Sequence, residues 1–318
     1  KGWEISVSGV PVKVKNFEWK TIFNWSKNNS MVESLPEGID KIQIGSGVYN
    51  VKSYAEVGKP YGAIYAKTFK RDAEGYILCQ LDGSPKEGQD YEYLGCVQAD
   101  WRGGWNNVFR LGNFSFSVMF DFQKGGKFFS QTSIQSSVDG QSVKSLEGRD
   151  ADFFSRKILG ESDEERYGFM RPQNANTPTA NGQIYPDWGR PKGVVLPNCR
   201  YDEDVEGLAG QQVLGYCTPE RYWMHYTSRD ISRFIYDASY VKLREITVSY
   251  DLPKKWLRKT PFQTFRVAAV GRNIATLFAN TPHGLDPQAT STTGNAQGFE
   301  RGFNLPSATY GFDIKVSF

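Results

Sequence analysis

The stretch Thr309-Tyr310-Gly311-Phe312-Asp313-Ile314-Lys315-Val316-Ser317-Phe318 decides the fold. Successive side chains of an extended strand point to opposite sides. Tyr310, Phe312, Ile314, Val316 and Phe318 therefore share one face, and Thr309, Gly311, Asp313, Lys315 and Ser317 share the other. Such a strand meets an apolar phase on one side and a polar one on the other. The same pattern recurs upstream. Trp3, Ile5 and Val7 alternate with Glu4, Ser6 and Ser8, and Trp19, Thr21, Phe23 and Trp25 with Lys20, Ile22, Asn24 and Ser26. Phe114, Phe116, Val118, Phe120 and Phe122 alternate with Ser115, Ser117, Met119, Asp121 and Gln123. Ile246, Val248, Tyr250 and Leu252 oppose Glu245, Thr247, Ser249 and Asp251, while in Phe262–Phe278 the phase drifts.

Strand length separates a membrane from an aqueous setting. These runs predict strands near 3–14, 18–28, 103–111, 114–123, 239–252, 262–278 and 308–318. Runs of ~9–13 residues fit the 9–11 that a tilted strand needs to cross a bilayer, whereas ordinary strands run nearer five or six. The chain has 318 residues, a hydrophobic fraction of 39% and a mean hydropathy of −0.52, and no run approaches the ~18 apolar residues of a spanning helix. A barrel strand alternates and so averages out as polar. Aromatics reach 14%, as the interfacial girdles of a barrel require. A net charge of +3 gives no basic stripe for nucleic acid. The predicted class is all-β: a transmembrane antiparallel β-barrel portion.

The connections divide into two kinds. Lys15–Phe17 and Gly112-Asn113 are very short, and Pro253–Pro261 is moderate, with Trp256 as an interface anchor. The segments 31–102, 124–237 and 279–306 are very long and alternate with the short ones, as outer loops alternate with periplasmic turns. Compact soluble domains seldom carry loops of that size. Within them, Tyr61–Phe69 and Tyr76–Leu81 read as short strands and Phe128–Leu146 as partly helical. The chain opens Lys1-Gly2-Trp3 on a strand, which reads as a piece whose leading portion lies elsewhere.

Catalytic chemistry is thinly supplied. The histidines are His225 and His283, and no zinc-protease, nucleophile-elbow or phosphate-loop motif is present. Gly45-Ser46-Gly47 lacks the remainder of a dinucleotide fingerprint. Asp202-Glu203-Asp204-Val205-Glu206 lacks calcium-loop spacing. No metal, cofactor or catalytic residue is assigned, and the chain does not read as an enzyme. Cys79, Cys96, Cys199 and Cys217 form no metal-type pair. Their spacing is compatible with local disulfides Cys79–Cys96 and Cys199–Cys217, or with four free thiols. The aromatic run of the second long loop carries the functional hint. Trp188, Tyr222, Trp223 and His225 are the candidate contacts for a substrate or a lid, with packing inside the loop as the alternative.

Three stretches carry a family resemblance. The first is Gly2-Trp3-Glu4-Ile5-Ser6-Val7 followed by Phe17-Glu18-Trp19-Lys20 and Asn24-Trp25-Ser26-Lys27-Asn28. The second is Tyr240-Val241-Lys242-Leu243-Arg244-Glu245-Ile246-Thr247-Val248-Ser249-Tyr250 with Leu252-Pro253, then Val270-Gly271-Arg272-Asn273. The third is Gly298-Phe299-Glu300 with Leu305-Pro306-Ser307. Together they resemble the C-terminal third of the SusC/RagA-type TonB-linked outer-membrane proteins of Bacteroidetes, with the long loops matching poorly. The resemblance implies the last seven or so strands of a 22-stranded barrel with long extracellular loops, its plug and TonB box outside this chain. It implies location in the outer membrane and active import driven through TonB. The cargo is oligosaccharide, or alternatively oligopeptide, taken up with a SusD-like lipoprotein lid. It also implies that barrel-insertion machinery reads Phe318. A soluble glycan-binding β protein and a passive porin are the competing readings.

Overall fold

The computed structural model describes residues 1–146, 194–217, 219–282, 284–290, 294, 297–302 and 306–318. Strands β1 (Gly2–Val14) and β2 (Phe17–Asn28) form a hairpin. The first long loop carries β3 (Lys41–Ser46), β4 (Lys52–Glu56), β5 (Ala63–Ala66), β6 (Ile77–Cys79) and β7 (Glu92–Cys96). A second hairpin, β8 (Trp101–Leu111) and β9 (Phe114–Lys124), follows. The second long loop holds β10 (Lys127–Ser130), α1 (Gln131–Val138), β11 (Val194–Tyr201), β12 (Gln212–Cys217) and β13 (Ile235–Asp237). Then come β14 (Tyr240–Asp251) and β15 (Thr264–Ala279), the two residues of β16 (Phe299–Glu300), and β17 (Thr309–Ser317).

The long strands pair in the order β1-β2-β8-β9-β14-β15-β17, each antiparallel to the next. The architecture is thus a mostly β-strand wall with long loops. Register carries the one-face alternation of each strand across the whole sheet. One row reads Val14, Phe17, Leu111, Phe114, Tyr250, Val267, Ile314 from edge to edge. Another reads Val12, Trp19, Phe109, Phe116, Val248, Ala269, Phe312. A slip of one residue in any pairing would turn that strand's apolar set to the other face. Rings follow the rows: Trp19 stacks on Phe109 at 5.9 Å and Phe109 on Phe116 at 6.1 Å. Where a polar residue intrudes on this face, an indole satisfies it. Trp19 Nε1 donates to Asn107 Oδ1 (3.0 Å), and Trp105 Nε1 donates to Thr21 Oγ1 (2.9 Å).

Because neighbours are antiparallel, successive connections fall at alternate ends. The turns after β1, β8 and β14 lie at one end, and the three long loops gather at the other. Gly112, at φ +57°, permits the tight β8–β9 turn, and its N–H donates to Asn16 O of the neighbouring hairpin. Trp256 stands exposed at this end.

The wall contributes little interior of its own, and the loops supply two cores. One gathers Val51, Ile64 and Ala66 of the first loop, Phe129, Ile134, Ile231 and Phe234 of the second, and Phe299 beyond β15. The other joins Phe69, Ile77 and Cys79 to Val194, Cys199, Val213, Tyr222, Trp223 and Tyr226. Two parallel pairings stitch the loops together: β6 with β11, and β10 with β16. Val97 packs against Gly62 of its own loop and Gly298 of the third, where an added Cβ would approach its side chain to 2.6 and 2.2 Å.

These cores correct two expectations. Tyr222 and Trp223 are essentially inaccessible, with Tyr222 edge-on to Trp223 at 5.1 Å, so they hold the loop together rather than face a lid or substrate. The local cysteine pairs are not set opposite one another on paired strands either. Cys79 lies in the β12-β11-β6 sheet and Cys96 in the separate β3-β4-β5-β7 sheet. Cys199 stands opposite Val213 on β12, and Cys217 stands opposite Val194. Long-range strand pairing, which local spacing does not reveal, sets these positions.

The apolar rows predict a face-dependent response to charge. Val118→Arg, on the apolar face at the middle of β9, is expected to cost about 2–4 kcal/mol in a bilayer. Ser117→Arg, one residue away on the polar face, is expected to cost under about 1 kcal/mol. Urea unfolding in lipid vesicles, followed by heat-modifiable gel mobility, checks the contrast; equal costs would contradict this division of faces.

Candidate functional site beneath the loops

With the apolar residues committed to one side, the other face of the wall is left polar. Across it the register sets Ser6, Asn24, Gly104, Asp121 and Lys242 in one row and Glu4, Ser26, Arg102, Gln123 and Tyr240 in the next. These rows lie at the loop end. A cavity of about 590 Å³ opens there, lined by Glu4, Ser6, Asn24, Ser26, Arg102 and Asp121 among others. A smaller one of about 250 Å³ continues it under the loops, between Ser26, Asn28, Gln98, Trp101, Arg102 and Gln297. Ser6 Oγ donates to Asn24 Oδ1 (2.7 Å), and Arg102 Nε donates to Gln123 Oε1 (3.0 Å). The surface therefore presents hydroxyl, amide, carboxylate and guanidinium groups close together. That is a hydrogen-bonding lining without a nucleophile–base pair.

Beside this lining, part of the third loop is clamped onto β14. Lys242 Nζ reaches both carboxylate oxygens of Asp286 at 2.6 Å and Gln288 Oε1 at 3.0 Å. Arg244 donates to Asn273 Oδ1 (2.6 Å), to Gln288 Oε1 (2.8 Å) and to Asp121. Gln288 in turn donates to Tyr240 Oη, and its own N–H donates to Asp286 Oδ1 (2.8 Å). The Lys242 side chain is only 5% exposed, so its charge relies on Asp286. In sequence, Lys242 and Arg244 stood out only as part of the Val-Lys-Leu-Arg-Glu strand. Their partners Asp286 and Gln288 carried no local signal, because the contact spans more than forty residues.

A second charged cluster ties the first loop to the second. Buried Asp202 accepts from Lys70 Nζ (2.9 Å), Lys86 Nζ (2.7 Å) and the Glu203 N–H (2.9 Å). Burial works against its charged form, but hydrogen bonds from Lys86, Lys70 and Glu203, with the charge of Lys86, hold the carboxyl below its ordinary value.

Of the residues singled out by sequence, His225 is exposed on the π-helical turn Tyr222–Tyr226, whose buried members are Tyr222, Trp223 and Tyr226. Trp188 lies outside the described residues. Phe318 is exposed and sets its ring 5.3 Å from Phe262. The structure does not bring Tyr222, Trp223 and His225 together as one open surface. Among the described residues no group of three or more His, Cys, Asp or Glu side chains is arranged to hold a metal.

No protein-family model matches the chain. A curated relative, TonB-dependent receptor P3 of Formosa agariphila, is 23% identical over 332 residues, covering 98% of this chain and 27% of the relative. The chain thus spans about a quarter of the length of that relative. Among solved structures, the RagAB peptide importer in its open-open state superposes with a TM-score of 0.53 at 15% identity, covering 100% of this chain and 28% of that one. Its closed-closed state gives 0.53 at 16% identity, covering 100% and 29%. At such identities the structural likeness shows the fold alone: a sheet of long antiparallel strands with large loops at one end.

Two consequences of the charge clusters are measurable. Asp286→Ala strands the Lys242 ammonium and is expected to cost on the order of 3 kcal/mol. It should speed hydrogen exchange across 284–290, and Lys242→Met combined with Asp286→Leu should recover part of the protection. For Asp202 the folded value lies below the unfolded one, so its stabilisation is complete above the unfolded value near 3.8 and is lost as pH falls through the lower, folded value. Hydrogen exchange in β6 and β11 should accelerate on acidification below about pH 4. In Asp202→Asn that acid-dependent step should shrink.

Proposed function

We propose, from the premise that this chain is a portion of a SusC/RagA-type TonB-dependent outer-membrane transporter, that it builds an arc of the barrel wall and its outer loops for active import of oligosaccharides. The observation that carries this is the division of one sheet into two faces. Two apolar rows run from edge to edge across seven strands on one side, and polar rows with a lined cavity run across the other. An outer-membrane barrel needs such a division, with lipid outside and an aqueous route inside. In this reading the free edges of β1 and β17 pair with further strands, since unpaired edges are not tolerated in hydrocarbon. The three loops face outward and meet a SusD-like lipoprotein, and TonB supplies the energy.

The choice of cargo rests on the lining. Ser6, Asn24, Ser26, Arg102 and Asp121 offer the mixed donors and acceptors that a polyhydroxyl chain can bond. Tyr222 and Trp223 are withdrawn into the loop core, so lid contact in this reading passes to exposed residues such as His225 and Met224.

Uptake of labelled oligosaccharides by cells carrying the wild-type protein should collapse with a protonophore. It should fall at least several-fold in Arg102→Ala combined with Asp121→Asn, at unchanged outer-membrane abundance. Mass spectrometry of material held by the natively purified complex checks the cargo directly. Glycan masses support the reading, and peptide masses overturn its substrate class while leaving active import standing.

A further inference from the structure

The cysteine cluster of the outer loops points to a covalent tie that local spacing does not suggest. Strands β6 and β11 belong to different loops and pair in parallel, with Ile77 opposite Cys199 and Cys79 opposite Tyr201. Residues two apart on a strand share a face, so Cys79 and Cys199 are diagonal neighbours on the same face of this pair. Both are buried, at 0% and 1% exposure. Both sulfurs converge on Gly215 of β12. From the place where a Cβ would stand on that glycine, Cys199 Sγ is 2.7 Å away and Cys79 Sγ 3.2 Å. A side chain there would occupy the space the two sulfurs share, so the glycine leaves room for them to meet. The remaining cysteines are poorly placed to compete. Cys96 Sγ lies 3.3 Å from Tyr61 O in another sheet. Cys217 lies two residues beyond Gly215 on β12, opposite Val194, whereas Cys79 and Cys199 are the two sulfurs within 3.2 Å of the Cβ position on Gly215.

We propose that Cys79 and Cys199 are oxidised to a disulfide that locks the first outer loop to the second. This rests on the outer-membrane reading, because the loops then fold in an oxidising compartment. The oxidant is a periplasmic dithiol–disulfide oxidase. The thiolate of one cysteine attacks the oxidase disulfide and forms a mixed disulfide. The thiolate of the other displaces the oxidase sulfur, forming Cys79–Cys199 and releasing the oxidase as its dithiol. Two electrons pass to the oxidase, and the two thiol protons, relayed by water, end on its sulfurs. The exchange belongs to the open loops. Once they close, the hydrogen bond with Cys199, together with burial, pushes the Cys79 thiol well above its ordinary value and suppresses the reactive thiolate. The same burial then shields the finished bond from reductants.

The test is to dissolve native membranes directly in denaturant containing N-ethylmaleimide, so that buried thiols are reached, then non-reducing digestion and mass spectrometry. The expected result is one cross-linked peptide joining Cys79 to Cys199, with Cys96 and Cys217 alkylated. In a second arm, the purified protein is unfolded, reduced and refolded with oxidised glutathione, which reports on the pairing wherever the protein resides. Its expected product is the same peptide, with lower yield in Gly215→Val. Four alkylated cysteines in protein recovered from the outer membrane overturn the disulfide but leave the location standing. Recovery outside the outer membrane overturns the location, and the refolding arm then decides the pairing. Cys79–Cys96 or Cys199–Cys217 as the main product in either arm overturns the proposal.

Discussion

In the proposed reading the apolar face of the wall meets hydrocarbon, where it can hold no unpaired polar group, and the arrangement of the chain is consistent with that constraint. The backbone groups of the wall pair between antiparallel neighbours, and the side chains aimed outward are apolar in rows that cross the full sheet. The exceptions obey the same rule. Asn107 and Thr21 sit among the apolar rows, and each receives an indole N–H from a neighbouring strand. Tryptophan therefore does two jobs here: it adds apolar area to the row and closes the hydrogen bonds of the polar residue beside it.

Committing one side of every strand to apolar rows leaves the wall little interior of its own. Burial is displaced to the loops, where Phe129, Ile134, Phe234 and Phe299 close one core and Phe69, Cys199, Tyr222 and Trp223 close another. Loops of this length stay ordered only if their own contacts offset the entropy of fixing them. The parallel pairings β6–β11 and β10–β16, the Asp202 cluster and the Val97–Gly298 contact supply those contacts between loops. The outer end thereby forms a connected cap in place of three independent excursions.

The polar face gains its character by the same subtraction. Lys242 and Arg244 project to the side that the apolar rows do not use, and there they capture Asp286 and Gln288. The third loop is thus fastened to the wall next to the cavity lined by Arg102 and Asp121. Asp121 belongs to both arrangements: it accepts from Arg244 and Tyr240 while facing the cavity. A ligand bonded to Asp121 would compete with the clamp, which couples the lining to the loop above it.

Period-two alternation is a local property, and it was enough to determine the class of this protein. Tyr310 to Phe318 and Phe114 to Phe122 read as long one-sided strands without knowledge of any partner, and alternate short and long connections placed the large loops at one end. The polar lining was implied in outline, since whatever faces away from the apolar rows must line the other side. The occupants of the loop cores were a different matter. Trp223 looks like a surface anchor in sequence because aromatic composition does not tell a packed ring from an exposed one; its burial depends on Phe69 and Ile77, contributed by another loop. The cysteines show the same limit: nearness in sequence suggested Cys79 with Cys96, whereas parallel pairing between two loops sets Cys79 beside Cys199. Lys242 with Asp286, and Lys70 with Asp202 across 132 residues, were equally hidden. Alternation is written into each strand by the geometry of its own backbone, but which distant segment fills a core or meets a charge is decided only when the chain closes on itself.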